Sequence, residues 1–456
     1  MKFAVVGAGI SGLSAAWLLG SKHDVTLFEA EDRLGGHANT ITVAAPEGAI
    51  PIDTGFIVYN TQCYPNLIAL FDAIGVPTAA SDMSFAVSLD GGGYEYAGSG
   101  LAGLVGQARN LASPAHLRMM AEIFRFFREA NAIDAGSMAT NVTLGDWLAA
   151  RGYSQRFIHA HIVPMGAAIW STPADEMLAF PFAAFARFFA NHGLLQTFNR
   201  PAWRTVQGGS KEYVGRLKAQ FSGQTRAGEP VVSALPDGNR VRLRTHSGYE
   251  EIFDGALLAC HADEALAITG SSAALFGTVL SAFRYAENSA VLHTDAGQMP
   301  RRRRLWSSWN YIGQKGETGG QTVGSLSVSY WMNRLQPLGT KTDYFVTLNP
   351  ATPIAERHIV RRQMYRHPMF DAAALSAQAK LLPLQGRNSL WFAGSYFGYG
   401  FHEDGVQAGL AAAEDMSLRL GGDGGRVTRP WTWDTRLSRI GAAGAVAPGH
   451  VKVTVQ

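Results

Sequence analysis

Two short stretches of this chain carry residue types that could do chemistry. GAGISG sets Gly7, Ala8, Gly9, Ile10, Ser11 and Gly12 in the pattern Gly-x-Gly-x-x-Gly, and Glu29 follows about twenty residues on. Far along the chain, GYGFHEDG places Tyr399, His402, Glu403 and Asp404 in a glycine- and aromatic-rich loop. The first pattern has a direct physical reading. Gly7 permits a tight turn, Gly9 lets backbone approach a pyrophosphate, and Gly12 lets a helix close on a strand. A helix N-terminus supplies N–H groups and positive dipole to the phosphate, and the acid holds a ribose hydroxyl. The second stretch offers an imidazole that can take a proton. Glu403 can do the same, and the run can instead cap a helix that begins near Gly405.

Such residues need elements to position them. KFAVV (2–6) is an apolar run suited to a buried parallel strand, LSAAWLLGS (13–21) is helical by composition, and HDVTLFEA (23–30) is a second strand ending at Glu29. LWFAGS (390–395) reads as another buried strand, followed by the Ala-rich helix GVQAGLAAAE (405–414). The order strand, turn, helix, strand, acid separates a dinucleotide site from a chance glycine-rich turn. AHLRMMAEIFRFFREA (115–130) and residues 143–160 read as amphipathic helices. In LAFPFAAFARFFANHGLL (178–195), Phe182, Phe185 and Phe189 share one helical face, with Phe188 beside it. That face is either packed core, or the wall of an apolar tunnel or a membrane-dipping surface. The run RRRR (301–304) is either a solvated or salt-bridged turn, or an attraction for anionic headgroups. His161 and His192 read as core or surface histidines, and Cys260 as a buried thiol.

Composition bounds the rest. The 456 residues are enough for two or three domains' worth of core, and 47% hydrophobic against 16% charged excludes long disorder. A net charge of +3 is too weak to argue for nucleic acid. Only Cys63 and Cys260 are present, neither in a CxxC pair, which excludes a disulfide framework and structural zinc; no metal site is expected. The first motif begins so close to Met1 that no leader is expected, and no apolar run approaches the roughly 18–20 residues of a spanning helix. The expectation is a cytoplasmic protein, with peripheral contact at the inner face of the membrane left open.

Further segments carry a family resemblance. AEDRLGGHANT (30–40) holds Arg33, Gly35 and Gly36, and IDTGFIVYN (52–60) holds Gly55 and Phe56. VQGGSKEYVGRL (206–217) follows, then EPVVSALPDGNRVRL (229–243) with Val231. WFAGSYFGYGFHEDGVQAGLAAAE (391–414) adds Gly394, Ser395, Asp404, Gly405 and Val406. Together they resemble the amine oxidase / phytoene desaturase superfamily of FAD flavoproteins. The resemblance implies an α/β two-domain flavoprotein that binds FAD through these residues. Its Rossmann-like FAD domain would be discontinuous over 1–80, 200–290 and 385–420. A substrate domain of mixed sheet and helices would occupy 81–199 and 291–384, with a tail over 421–456. Arg33 would meet the pyrophosphate, Val231 the adenine, and Gly394 and Ser395 the ribityl phosphate. Gly405 and Val406 would open a helix aimed at the flavin's pyrimidine edge.

A narrower resemblance rests on SSWNY (307–311), YWMNRLQ (330–336), TLNP (347–350), RHPMF (366–370) and GYGFHEDG (398–405). These are similar to a bacterial subgroup of NAD/FAD-binding proteins associated with cyclopropane-fatty-acid-synthase-like methyltransferases. It implies dehydrogenation of a methyl-branched unsaturated acyl chain of membrane phospholipid, on the route to furan fatty acids. A methyltransferase partner would follow. On this reading Tyr396, Phe397, Tyr399 and Phe401 hold the chain beside the flavin, which takes the hydride, and His402, or else Glu403, takes the proton. Two other readings stand beside it: an FAD-dependent amine oxidase, and a non-catalytic flavoprotein partner of a fatty-acyl methyltransferase. The lysine typical of polyamine-oxidising relatives has no aligned counterpart, which counts against an amine.

Overall fold

The structure, a computed structural model, describes residues 1–132, 142–170, 174–196, 200–315 and 323–431. A five-stranded parallel sheet organises one half of the molecule. Its strands lie in the order Gln224–Arg226, Asp24–Phe28, Lys2–Val6, Gly255–Leu258 and Leu390–Phe392. Four of the five come from sequence that is apolar on both faces, as a parallel sheet covered on both sides requires. Helix Ile10–Gly20 covers this sheet beside the long closing helix His402–Gly425. The two helices cross closely because glycine stands at the contact. A Cβ on Gly409 would lie 2.2 Å from the Ser11 carbonyl, and one on Gly405 2.8 Å from Ile10. Beside the sheet runs an antiparallel meander of Val231–Asp237, Arg240–Thr245 and Glu250–Phe253. In its middle strand Val241, Leu243 and Thr245 are buried and the alternate arginines are exposed.

The other half is built on a seven-stranded mixed sheet. Its order is Ile359–Met369, Arg284–His293, Phe345–Leu348, Val323–Trp331, Trp309–Lys315, Phe85–Leu89 and Tyr94–Ala97. Helices Pro114–Asn131, Leu144–Ala150, Val163–Trp170 and Phe182–Asn191 pack with it around a second apolar core. The amphipathic reading of 143–160 as one helix needs correction. The chain breaks after Ala150, restarts at Gln155 behind the N-cap of Ser154, and passes through a π-helical turn, Ile158–Ile162. RGYS (151–154) supplies the break, with Gly152 at φ +65°. The closing helix runs past the expected start of the tail, to Gly425, and Trp431 stacks on Trp17 at 6.5 Å. Residues 432–456 of the tail lie outside the described residues.

One buried carboxyl ties the two halves. Asp53 accepts from the Ser210 backbone N–H, from the Thr40 hydroxyl and from the Gln336 side-chain amide, and its own N–H donates to Gln336. Burial pushes its carboxyl up to about 6 despite these donors. Among the described residues no helix is long and apolar enough to cross a membrane.

Candidate cofactor and substrate cavity

The glycine turn has the geometry its sequence demands. Gly7 sits at φ +98°, and a Cβ there would lie 2.9 Å from the Ala259 carbonyl. A Cβ on Gly12 would fall 1.8 Å from the Gly7 carbonyl, so the helix can start there only with glycine. At Gly9 a Cβ would meet nothing within 4 Å, because the turn faces open space. The Ala8 N–H donates to Glu29 Oε2 at 2.7 Å, and the Glu31 N–H donates to Oε1 at 3.0 Å. Burial raises the Glu29 carboxyl above its ordinary range. Arg33 folds back on its own loop and donates to the carbonyls of Ala38 and Gly36. Gly35 anchors that loop through its N–H to the Ala8 carbonyl.

These groups open into a single cavity of about 1670 Å³. One end is lined by Gly7, Gly9, Ile10 and Ser11, by Glu29, Arg33 and Gly36, and by Gly55 and Phe56. Val231, Gly394 and Ser395 line it as well. Distant segments of the sequence thus converge on one site. The space exceeds the roughly 300–1,000 Å³ usual for a small-molecule pocket, so a dinucleotide leaves room for a substrate. The residues fit such a ligand. The turn offers backbone N–H groups, and His37 Nε2 and His261 Nδ1 are buried without a hydrogen-bond partner among the described residues.

Several expected site residues stand elsewhere, for stated reasons. Ala8, Gly12 and Gly35 shape the turn and its loop and do not reach the cavity wall. Neither do Gly405 and Val406. Gly405 is spent on the close contact with Ile10, and the helix meets the cavity one turn earlier, at Gly400, Phe401 and His402. Asp404 also turns away. It accepts from the N–H groups of Tyr399 (3.0 Å) and Phe401 (2.9 Å) and so shapes the loop before its own helix. Glu403 faces a third direction. Its Oε1 accepts from the Asn66 N–H and side-chain amide at 3.0 and 2.7 Å, and its Oε2 from the Leu67 N–H at 2.9 Å. It caps helix Pro65–Ile74, whose first N–H groups have no partner within the helix. The expectation that Glu403 is a reserve base fails on this geometry.

His402 does face the cavity. Its ring stacks on Phe56, centroids 3.7 Å apart, and its Nε2 lies 3.0 Å from the Tyr213 hydroxyl. Burial pushes its pKa down to about 3, so it is neutral. Tyr399 also lines the cavity, edge-on to Phe188, while Phe401 stacks on Phe188 at 4.9 Å. Beyond them the cavity continues into an apolar chamber walled by Met165, Phe188, Trp309 and Tyr330. Phe182, Phe185 and Phe189 are core: Phe182 stacks on Trp147 and Phe185 on Phe189, each at 4.0 Å. Only Phe188 of that helix's phenylalanines reaches the chamber.

The sequence reading missed much of the wall. His161 and His192, read as core or surface histidines, are buried but line the chamber. His37, His261, His367 and Tyr365 line the dinucleotide side, with His37 stacked on Tyr365 at 5.2 Å. The signal was present in GGHAN, ACHAD and YRHPMF, where histidine adjoins a glycine turn, a strand end or a strand. The RRRR run, by contrast, is largely engaged by protein groups. Arg302 pairs with buried Glu95 at 2.6 Å, Arg303 with Asp343 at 2.8 Å, and Arg304 donates to the Gly106 carbonyl. Cys260 is on the cavity wall, and burial raises its thiol, which suits an inert side chain. Among the described residues no cluster of His, Cys, Asp or Glu could hold a metal.

The family model for flavin containing amine oxidoreductases matches residues 10–340. The chain belongs to this family. Its cofactor is FAD, and it is a flavin-dependent oxidoreductase. The flavoprotein fold is shared with cyclohexylamine oxidase from Brevibacterium oxydans IH-35A, at TM-score 0.66 and 16% identity over 92% of this chain and 99% of that one. It is shared also with a CLA-producing fatty acid isomerase from P. acnes, at TM-score 0.64 and 14% identity over 92% and 98%. The L-amino-acid oxidase of Bungarus fasciatus is 65% identical over 37 residues, 8% of this chain and 7% of that protein. The chain therefore spans only a small part of the length of the curated relatives it matches.

Proposed function

We propose that this FAD-dependent oxidoreductase dehydrogenates a methyl-branched unsaturated acyl chain of membrane phospholipid, on the route to furan fatty acids. One observation carries the apolar substrate. The carboxylates on the cavity wall, Glu29, Glu31, Glu229 and Glu264, all belong to the dinucleotide end, and among the described lining residues the chamber holds no acid and no lysine. An ammonium group entering the chamber would lose its hydration without a counter-charge. An acyl chain enters at no such cost, and burying it is favourable.

Bound flavin supplies the hydride acceptor. The chain's own residues do the rest. Phe188, Tyr399 and Phe401 line the chamber, exclude water and set aromatic rings beside the electron-poor carbon left by hydride loss. A methyl-branched allylic carbon is a good donor, because that positive charge is tertiary and allylic. The neighbouring C–H is then acidic enough for a weak neutral base. His402 fits this role in the tautomer whose Nε2–H donates to the Tyr213 oxygen, leaving the Nδ1 lone pair to take the proton. Hydride and proton leave adjacent carbons, and a double bond forms between them.

Family membership and the cyclohexylamine oxidase fold support a second reading, oxidation of an apolar amine held neutral by the aromatic walls. The test is anaerobic bleaching of the flavin by vesicles of methyl-branched unsaturated phospholipid and, in parallel, by a panel of amines. Bleaching by lipid, with a conjugated diene in the extracted chains, supports desaturation. Bleaching by an amine alone sinks it. No bleaching by either brings forward a non-catalytic partner of a methyltransferase. His402→Ala should slow lipid bleaching per bound flavin; an unchanged rate removes it as the base.

A further inference from the structure

Nine large hydrophobic side chains are exposed among the described residues, and four of them fall within residues 101–124. Leu101 is 84% exposed, Leu111 57%, Leu117 50% and Phe124 52%. They sit on consecutive elements: helix Gly100–Val105, helix Ala108–Leu111 and helix Pro114–Asn131. Leu101 and Phe124 also line the cavity, as do Leu104 and Phe127 beside them. The chamber therefore opens to solvent between these helices, through a rim of exposed apolar side chains. A soluble substrate gains nothing from such a rim, and monomeric proteins rarely expose a contiguous apolar patch without a use for it.

The charges on the rim have one sign facing out. Leu117, Ala121, Phe124 and Arg128 follow helical spacing on the outer face of Pro114–Asn131. Arg109 and Arg128 are exposed and have no acidic partner among the described residues. The two acids of this helix are drawn away from the surface: Glu122 is buried against Ser154, and Glu129 pairs with Arg125 and the Tyr153 hydroxyl. Exposed leucine and phenylalanine among arginines that no acid neutralises is the pattern of a helix that lies in a bilayer interface and favours anionic headgroups.

We propose that helices Gly100–Val105, Ala108–Leu111 and Pro114–Asn131 form a docking surface for an anionic bilayer, and that the chamber takes its acyl chain directly through this rim. This locus differs from the RRRR run and from the Phe-rich helix. It rests on the acyl-substrate reading for its purpose, but docking is measured without turnover. FAD-loaded protein is sedimented with vesicles of phosphatidylglycerol and, separately, of phosphatidylcholine. Leu111 and Leu117 do not line the cavity, so Leu111→Ser/Leu117→Ser tests the surface with the chamber intact, and flavin content reports folding. The expected result is binding to phosphatidylglycerol, weakened at least tenfold by this pair and again by Arg109→Glu/Arg128→Glu. Failure to bind vesicles, or variants that bind like the parent, overturns the proposal. A chain that ignores vesicles but dimerises through Leu111 and Leu117 overturns it in favour of a second copy. Docking without lipid bleaching leaves this surface standing and sinks the acyl substrate.

Discussion

Replacing Glu403 by alanine should damage stability far more than chemistry. The side chain holds three donors at the start of helix Pro65–Ile74: the N–H groups of Asn66 and Leu67 and the Asn66 amide. All lie in the buried contact between that helix and the closing helix. Leaving a buried donor without an acceptor costs about 1–3 kcal/mol. The Asn66 amide can turn to other partners, so the two backbone donors set the scale, about 2–6 kcal/mol, with water in part of the emptied space favouring the lower end. Glu403→Gln keeps one acceptor oxygen, strands the donor on the other, and should lose about 1–3 kcal/mol. The assay is urea unfolding followed by flavin fluorescence, beside the initial rate of anaerobic flavin bleaching on FAD-loaded protein. The expected order of stability is parent, then glutamine, then alanine, with bleaching rates per bound flavin within a few fold. Alanine as stable as the parent but bleaching a hundredfold more slowly would refute the reasoning and restore Glu403 as a base.

Gly12→Ala should yield protein without bound FAD, because the new Cβ would sit 1.8 Å from the Gly7 carbonyl; visible flavin absorbance of the purified protein checks this. Tyr213→Phe should lower the bleaching rate by up to about tenfold, the worth of one hydrogen bond, and should raise the scatter of His402 between ring tautomers, read by nitrogen NMR of labelled imidazole. The fold should lose stability as pH falls from about 6.5 to 4. Six histidines on the cavity wall are held neutral by burial: His37, His192 and His261 with pKa pushed down to about 4, and His161, His367 and His402 to about 3. Between the unfolded and folded values each takes up a proton on unfolding and not in the fold, so stability is full above the unfolded value of 6.5 and declines below it. Asp53, Asp404 and Glu403, raised to about 6, 6 and 7, run the other way and lose stability as pH rises; being fewer, they blunt the acid loss and do not reverse it. Urea midpoints between pH 4 and 8 decide the sign.

The dinucleotide end of the site was legible because its constraints are local. A positive φ at Gly7, a helix start with no room for a Cβ at Gly12, and an acid one strand later are properties of adjacent residues, and they survive in the sequence as a spacing. The strands themselves are nearly as readable, since runs such as KFAVV and LWF are apolar on both faces, whereas their order in the sheet comes only from the fold. The chamber was not legible. Its wall is made by contacts such as Phe188 on Phe401 and His37 on Tyr365, which no periodicity in either segment records. Likewise the exposed rim at Leu101 and Phe124 comes from two helices, of which the sequence marked only the second, as an ordinary amphipathic helix.

The run His402-Glu403-Asp404 shows where sequence reading stops. Successive residues of a helix point about 100° apart, so three polar neighbours at a helix start cannot share one task. Sequence offers His402 and Glu403 for acid–base work and Asp404 for the cofactor or a helix cap, and cannot say which of them faces the ligand. The fold divides them: His402 to the cavity, Glu403 to the start of helix Pro65–Ile74, and Asp404 back to the loop at Tyr399 and Phe401. The two carboxyls thereby fix both neighbours of the imidazole. Glu403 holds the helix that follows the Phe56 segment, and Phe56 is the ring on which His402 stacks. Asp404 holds the turn that carries Tyr399 and Phe401 into the chamber. A change at either acid should therefore reach the chemistry only by displacing His402 or the aromatic wall, and the amide variants Glu403→Gln and Asp404→Asn, which keep one acceptor oxygen, should transmit little of it.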